Sequence, residues 1–322
     1  MIEHDPRHSY PHDYNDTYAG LPVASAPLPG DAPDRELPDA AAAAWRLEAN
    51  TDDPGLDDKF EEVFARFLTR MDTARVTALL VGGWENSYEV DSSHVVRLFV
   101  ENAERFPALR SLFFGAIPSE VAEISWIQQS DVTPLLKAFP ALERLDVRGG
   151  GMPALQPIRH EALRMLRLES GGLGADVVRA VGECELPALE YLELWLGVEQ
   201  YGGDAAVADL GAILSGERLP SLRHLGLQNG EIQDEVAAAV SAAPIVARIE
   251  SLSLSMGVLT DTGAEALLSG QPLTHLRRLD LHHHFLTDSM IERVTDALPG
   301  VDVDLSDQEE PEDEWFYTAV SE

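Results

Sequence analysis

One short phrase, said nine times, constrains what this 322-residue chain can fold into. Its clearest copy is LRHLGLQNG, residues 222–230, in which an apolar residue is followed by others at +3 and +5. Counted from the first apolar residue, the copies start at Val76, Leu109, Leu142, Leu163, Leu189, Leu222, Ile249, Leu276 and Leu298. The steps between them are 33, 33, 21, 26, 33, 27, 27 and 22 residues. Positions +3 and +5 stand two apart, so they share one face of a strand. A single coil cannot bury that face alone. Coils stacked side by side make a parallel sheet with one apolar core behind it. A helical pattern separates most copies, as parallel pairing requires. Pro107, Pro140, Pro187, Pro220 and Pro272 each stand shortly before a strand, where a helix has to stop.

The phrase resembles that of the leucine-rich repeat proteins, in the longer, helix-containing class typified by ribonuclease inhibitor. The resemblance covers roughly residues 45–305. It implies an α/β fold: a horseshoe-shaped leucine-rich repeat solenoid with a parallel concave sheet and a mostly helical convex side. One position departs from the family. Where +8 is often Asn or Cys, this chain has Gly150, Gly171, Gly197, Gly230 and Gly257. Glycine's tolerance of tight turns is expected to replace an asparagine ladder. Three further stretches resemble an uncharacterised bacterial group of leucine-rich-repeat proteins: Glu123 to Asp131 with the Val-Thr-Pro-Leu-Leu that follows, Trp195 to Asp204, and Ala319 to Glu322. That resemblance implies genes placed beside radical-SAM and ATP-grasp enzymes. It brings no activity to any residue.

Four segments are expected. Residues 1–40 are rich in Pro and poor in apolar periodicity, so they read as a largely disordered tail. His4, His8 and His12 are spaced by four there, but Pro6 and Pro11 oppose a helix that would align them. Gly20 to Val23 is the tail's one apolar patch, placed to pack on the first coil. Residues 41–75 read as a cap, with Trp45 and Leu47 on one face of a strand. An amphipathic helix follows from Asp57 to Met71, carrying Phe60, Val63, Phe64, Phe67 and Leu68. The solenoid occupies 76–305. Residues 306–322 are an acidic linker and the segment WFYTAVSE, too apolar for a loose tail and suited to adding a strand or packing on a face.

Fifty-six acidic residues against 23 basic give a net charge of −33. Such a surface repels nucleic-acid phosphates and anionic lipids, so neither nucleic acid nor membrane is an expected partner, and a basic one is favoured. The single cysteine, Cys184, excludes an internal disulfide and suits a reducing compartment. The polar start is not built as a signal peptide, and no run approaches the roughly 18 apolar residues of a membrane span. A cytoplasmic location is expected.

Position +1 alternates in sign through Arg110, Glu143, Arg164, Glu190, Arg223, Glu250 and Arg277. Parallel strands stack about 4.8 Å apart, so each charge is expected between two opposites, as a ladder that sets register. Positions +2, +4 and +6 form the concave face. Charge and aromatics peak there at Arg144, Arg148, Arg167, Glu169, Tyr191, Glu193 and Trp195, residue types that dominate interface hot spots. Two loops are longer than a coil needs: 115–131, with Trp126 and Gln128, and 195–204. Trp126, flanked by Ile124 and Ile127, either folds back on the core or projects over the concave mouth. These nine residues are the expected binding surface of a non-catalytic scaffold for a protein or peptide. An accessory role beside bacterial biosynthetic enzymes follows from the resemblance alone.

No cofactor and no catalytic residue is expected. Gly149 to Gly151 lacks the Lys-Ser/Thr of a phosphate cradle. Ser253, Ser255, Asp280 and His282 lack a strained nucleophile turn. The alternative reading is a metal-assisted enzyme centred on Asp280, His282 and Asp304. Strand alternation would put His282 and His284 on one face, and zinc needs three or four converging ligands.

Overall fold

A computed structural model describes residues 16–28, 31–32, 36–49, 59–313 and 315–322, with Met152 described in its backbone alone. The expectations for His4, His8 and His12, and for a helix start at Asp57 and Asp58, lie outside these residues. The chain divides into two compact units, Met1–Met152 and Pro153–Glu322. Both are mixed α/β, with mostly parallel strands and eight α-helices in all among the described residues.

In the first unit the strands are β1 (Thr17–Tyr18), β2 (Leu21–Ser25), β3 (Ala44–Leu47), β4 (Ala78–Val81), β5 (Ser111–Phe114), β6 (Gln128–Asp131) and β7 (Arg144–Arg148). Strands β2, β3, β4, β5 and β7 pair in parallel in that order. Trp45, Leu79, Leu112 and Leu145 stand in one row, all fully buried. Strand β6 pairs apart with β8 (Gly150–Ala154). The helices are α1 (Phe60–Arg70), α2 (Ser93–Glu101) and α3 (Thr133–Ala138). Helix α1 buries Phe60, Val63, Phe64 and Phe67, the stripe its spacing predicts. Phe64 meets Phe99 of α2 edge-on at 5.0 Å, and Phe67 lies 5.9 Å from Trp45.

Residues 17–25 correct the expectation of a tail. Strands β1 and β2 form an antiparallel hairpin, and β2 adds in parallel to β3. Pro22 is tolerated because it sits in an outer hairpin. Tyr18 is buried against Ala44, Ala78, Leu80, Phe113 and Ala116, with Ala19, Leu21 and Val23 packed around it. Leu80 and Phe113 hold the +4 position, which would otherwise be exposed. Covering such side chains stabilises by roughly 1.5–3 kcal/mol each. The hairpin is therefore the lid of this unit's sheet face.

The second unit contains β9 (Met165–Glu169), β10 (Tyr191–Gly197), β11 (His224–Gly230), β12 (Ser251–Ser253), β13 (Arg278–Asp280) and β14 (Asp302–Asp304), each parallel to the next. Its helices are α4 (Ala175–Glu183), α5 (Gly211–Ser215), α6 (Gln233–Val240), α7 (Asp261–Ser269) and α8 (Asp288–Ala297). Leu166, Leu192, Leu225, Leu252 and Leu279 form the buried row, and Val303 continues it. That pairing shifts the ninth copy two residues later than its apolar pattern suggests. Leu298 is the buried end of α8, and Asp304 rather than Asp302 aligns with Asp280.

The strands end in a recurring left-handed turn. Asn229, Met256 and His283, at +7 of three successive coils, have φ of 56°, 67° and 53°. Glycine at +8 allows the turns to stack. A Cβ on Gly257 would lie 2.7 Å from the Gly230 carbonyl oxygen, and one on Gly197 2.1 Å from that of Gly171. Helix starts are stitched from coil to coil. Asp234 does not cap its own helix. It accepts from the Thr260 backbone at 2.8 Å and from Gly263 at 3.0 Å, while Asp261 accepts from the Thr287 backbone at 2.9 Å. Thr260 and Thr287 cap α7 and α8 as their positions predict.

Within each unit the +1 charges meet. Arg110 lies 3.7 Å from Glu143, and Arg164 lies 2.8 Å from Glu190. Glu250 takes Arg223 on one side and Arg277, at 3.1 Å, on the other. These side chains are half-buried to exposed and remain in contact with water, so each pair is worth about 0.2–1 kcal/mol and serves register more than stability.

The C-terminal segment crosses the left-handed turns as a strap. Tyr317 offers its carbonyl to His283 Nε2 at 3.1 Å, and Ala319 N–H donates to the Met256 carbonyl at 2.8 Å. Val320 N–H donates to Asn229 Oδ1 at 3.0 Å, and Asn229 Nδ2 donates back to the Val320 carbonyl. Among the described residues no helix is long and apolar enough to cross a membrane.

Asn229 combines a left-handed backbone with both of those bonds, in a fully buried position. Asn229→Ala is expected to cost about 2–4 kcal/mol, from backbone strain and two lost hydrogen bonds. Asn229→Gly keeps the turn and is expected to lose about half as much. Urea unfolding of the three chains checks this; an Ala variant within 0.5 kcal/mol, by the same ~1 kcal/mol-per-bond scale, removes the strap from the account.

Candidate functional site

The sheet-face residues of the second unit are bonded to one another. Arg167 on β9 reaches Glu193 on β10 at 2.8 Å and Glu169 on its own strand at 2.9 Å. The Trp195 indole N–H donates to Glu193 Oε1 at 2.9 Å, and Tyr191 donates its hydroxyl to Oε2. The Arg167 guanidinium also lies 5.7 Å from the Trp195 ring. Trp195 is 0% exposed, Glu193 and Glu169 1%, and Arg167 6%. Trp195 thus lies inside a strand, buried, and not on a long loop as its sequence position suggested. The loop proper begins beyond Gly197, with a 3-10 turn over Glu199–Tyr201. Charges removed from water persist only when paired in this way.

The first unit has its own version. Arg144 binds Asp146 through two bonds, at 2.6 and 3.1 Å, and its guanidinium sits 4.7 Å from the Tyr18 ring. Tyr18 donates its hydroxyl to Asp146 at 2.9 Å. Burial, and then the Asp146 charge, hold the Tyr18 phenol well above its ordinary pKa, so it remains a donor. Arg148 is 1% exposed, and its carbonyl accepts from Gln129 at 2.7 Å. Of the nine residues expected to bind a partner, Arg144, Arg148, Arg167, Glu169, Glu193 and Trp195 are buried, and Tyr191 is half-buried.

The histidines divide three ways. His282 Nδ1 lies 2.8 Å from Asp280. Burial opposes its charge, but the bond and charge of Asp280, backed by Asp304 and Asp307, raise its pKa. Asp304 is engaged by Arg278 at 2.8 Å and by the Ser306 hydroxyl at 2.7 Å. His283 leaves the extended conformation, so strand alternation stops there. His284 is buried, donating from Nε2 to the Leu305 carbonyl and accepting at Nδ1 from Leu286 N–H. Among the described residues no group of three or more His, Cys, Asp or Glu side chains is placed to hold a metal ion.

In the first unit, most exposed large apolar side chains lie on two loops. Trp84 is buried in the earlier loop, its indole N–H on the Val90 carbonyl at 2.8 Å and its ring 6.1 Å from Phe114. Gln128 ties the later loop to it: its N–H donates to the Ser87 carbonyl at 2.8 Å, and its carbonyl accepts from Ser92 N–H at 3.1 Å. Ile117, Ile124 and Ile127 are buried and anchor the later loop. Trp126 projects, 52% exposed, with Val121 at 57%, Tyr88 at 55% and Val90 at 40%. Four of this unit's five exposed large hydrophobics among the described residues are therefore on these loops; Val100 is the fifth. Tyr88, Val90 and Val121 were missed from the sequence. Their signal was apolar side chains inside loops that have no strand or helix period to absorb them.

His224 stacks on Tyr191 with ring centroids 4.0 Å apart and hydrogen-bonds Ser251 at 2.9 Å. Burial brings its pKa down to about 4, from an ordinary value near 6.5. The unfolded chain then takes up this proton first as pH falls. The contribution is whole above about pH 6.5 and is lost down to about pH 4, up to about 3 kcal/mol. His224→Gln is expected to flatten that part of the stability curve. In an NMR titration the His224 ring should show a midpoint near 4; a midpoint above 6 contradicts the burial argument.

No protein-family model matches the chain, and no curated protein matches it. Solved structures do. An internalin of Listeria monocytogenes, 17% identical over 74% of this chain and 55% of its own, overlaps with a TM-score of 0.35, too slight to bear on fold or function. A protein of Bacteroides fragilis, whose crystal structure comes from a structural genomics consortium, is 32% identical. The match covers 80% of this chain and 72% of that one, with a TM-score of 0.74. The chain belongs to the same family as this Bacteroides fragilis protein.

Proposed function

We propose that the chain is a leucine-rich repeat protein that acts as a non-catalytic scaffold for a protein or peptide partner, and that it holds this partner through the loops around Tyr88 and Trp126. The nine phrases, the in-register parallel strands of each unit and the helices that follow most of them support the repeat reading. The observation that carries the binding role is the exposed apolar surface at Tyr88, Val90, Val121 and Trp126. Large apolar side chains left in water on two loops that are bonded to each other favour a partner that covers them. The loops beneath are anchored by Trp84, Ile124 and Ile127, so their ordering cost is already met before a partner arrives. The sheet-face charges, being mutually paired, have less to offer. For the alternative, an enzyme centred on Asp280, His282 and Asp304, the engagement of Asp304 by Arg278 gives no support.

Affinity capture from the native host, wild type beside Tyr88→Ser/Trp126→Ser, tests the reading. A partner held by the wild type and reduced at least tenfold by the variant, about 1.4 kcal/mol or more, is expected, with an unchanged melting temperature. Equal retention by both, or no partner for either, contradicts it.

A further inference from the structure

Val90, on the earlier of the two loops, lines a cleft of about 540 Å³ in the first unit, and Trp126 stands two residues before Gln128, whose backbone bonds Ser87 and Ser92 of that loop. Tyr88 precedes Glu89, which also lines the cleft. Four carboxylates line it, Glu61, Glu85, Glu89 and Asp91, against one lysine, Lys59. Glu85 Oε2 accepts the Phe60 N–H at 3.1 Å, while Oε1 stands 3.7 Å from His94 Nε2. Asp91 accepts from Ser93 N–H at 2.9 Å, and the Ser93 hydroxyl and amide hold its carboxyl below the usual range. It stays ionised at neutral pH. Glu61 and Glu89 are exposed. The place thus presents a negative cleft with Val90 in its wall, on a loop that also carries the exposed Tyr88 and is bonded to the loop of Trp126.

Resting on the scaffold reading above, we propose that this surface recognises a basic, amphipathic peptide segment. A Lys or Arg side chain enters the cleft, and its apolar neighbours pack on Tyr88, Val90 and Trp126. Charge complementarity selects the occupant: an acidic segment would meet four carboxylates, and a wholly apolar one would leave them desolvated and unpaired. Tyr88, next to Glu89 in the chain, also suits a cation, which is attracted to an aromatic ring face. The chain's net charge of −33 steers the same class of partner toward it.

The test uses the full chain carrying Trp315→Phe. Trp45, Trp84 and Trp195 are fully buried, so Trp126 is then the exposed reporter among the five tryptophans. Three 12-residue synthetic peptides are titrated: alternating Leu and Lys, the same with Glu for Lys, and the same with Ser for Leu. Spermidine is the small-cation control. The Leu/Lys peptide is expected to shift Trp126 emission to the blue and to bind at least tenfold more tightly than the other three probes. Glu61→Gln/Glu89→Gln is expected to weaken it at least fivefold. Glu217→Gln/Glu235→Gln removes the same charge from exposed positions of the second unit and is expected to change it less than twofold.

Equal binding of the Leu/Glu peptide, or of the Leu-free peptide or spermidine, overturns the proposal. Equal weakening by the two double variants does so as well, because net charge alone would explain it. Those outcomes leave the scaffold reading standing if capture still depends on Trp126. Loss of that dependence would end the scaffold reading whatever the peptides do.

Discussion

Leu166, Leu192, Leu225, Leu252 and Leu279 stand side by side because each parallel strand of the second unit bonds to the next in an unslipped register. Every other placement there depends on that. A slip of one residue would turn the leucine row outward and every charge inward. In register, Arg167 meets Glu193, Arg164 meets Glu190, and Glu250 lies between two arginines. The buried pairing matters most. Removing one partner of such a pair typically costs about 3–5 kcal/mol, because the other charge stays buried.

The same register decides which surfaces are left for a partner. Side chains at +2, +4 and +6 are adjacent across strands, so opposite charges there satisfy one another before any ligand does. In the first unit the +4 residues Leu80 and Phe113 are apolar, and the hairpin with Tyr18 covers them. In the second unit the strap from Tyr317 to Val320 occupies the turns at Asn229, Met256 and His283. The chain's own ends thus take up surface that its repeats expose. Apolar side chains reach water chiefly on the loops that carry Tyr88 and Trp126, and at Trp315 and Phe316 in the C-terminal segment.

Much of this was readable from the residues alone. The +3 and +5 spacing located the strands, the stripe from Phe60 to Phe67 located α1, and glycine at +8 announced tight turns. Three things were not readable, each for a physical reason. Burial of Arg167, Glu193 and Trp195 depends on which strands are neighbours, and a charged strand position looks solvent-facing until its cross-strand partner is known. Leu298 fits a strand phrase and a helix end equally well, and only pairing of Val303 with Leu279 decides between them. The hairpin at Thr17–Ser25 is short and contains Pro22, so local propensity argues against it. Contact with residues as distant as Phe113 and Asp146 holds it in place. Trp126 stands out in the sequence, but its direction is set by its neighbours. Ile124 and Ile127 took the core positions.

Amide hydrogen exchange on the full chain, free and bound to a captured partner, tests the central claim most directly. The account predicts that protection rises over residues 84–92 and 116–128, where the exposed aromatics and their anchors lie. Residues 165–169 and 191–197, whose side chains are already paired, should exchange alike in both states. New protection confined to those sheet residues, with the two loops unchanged, would contradict it.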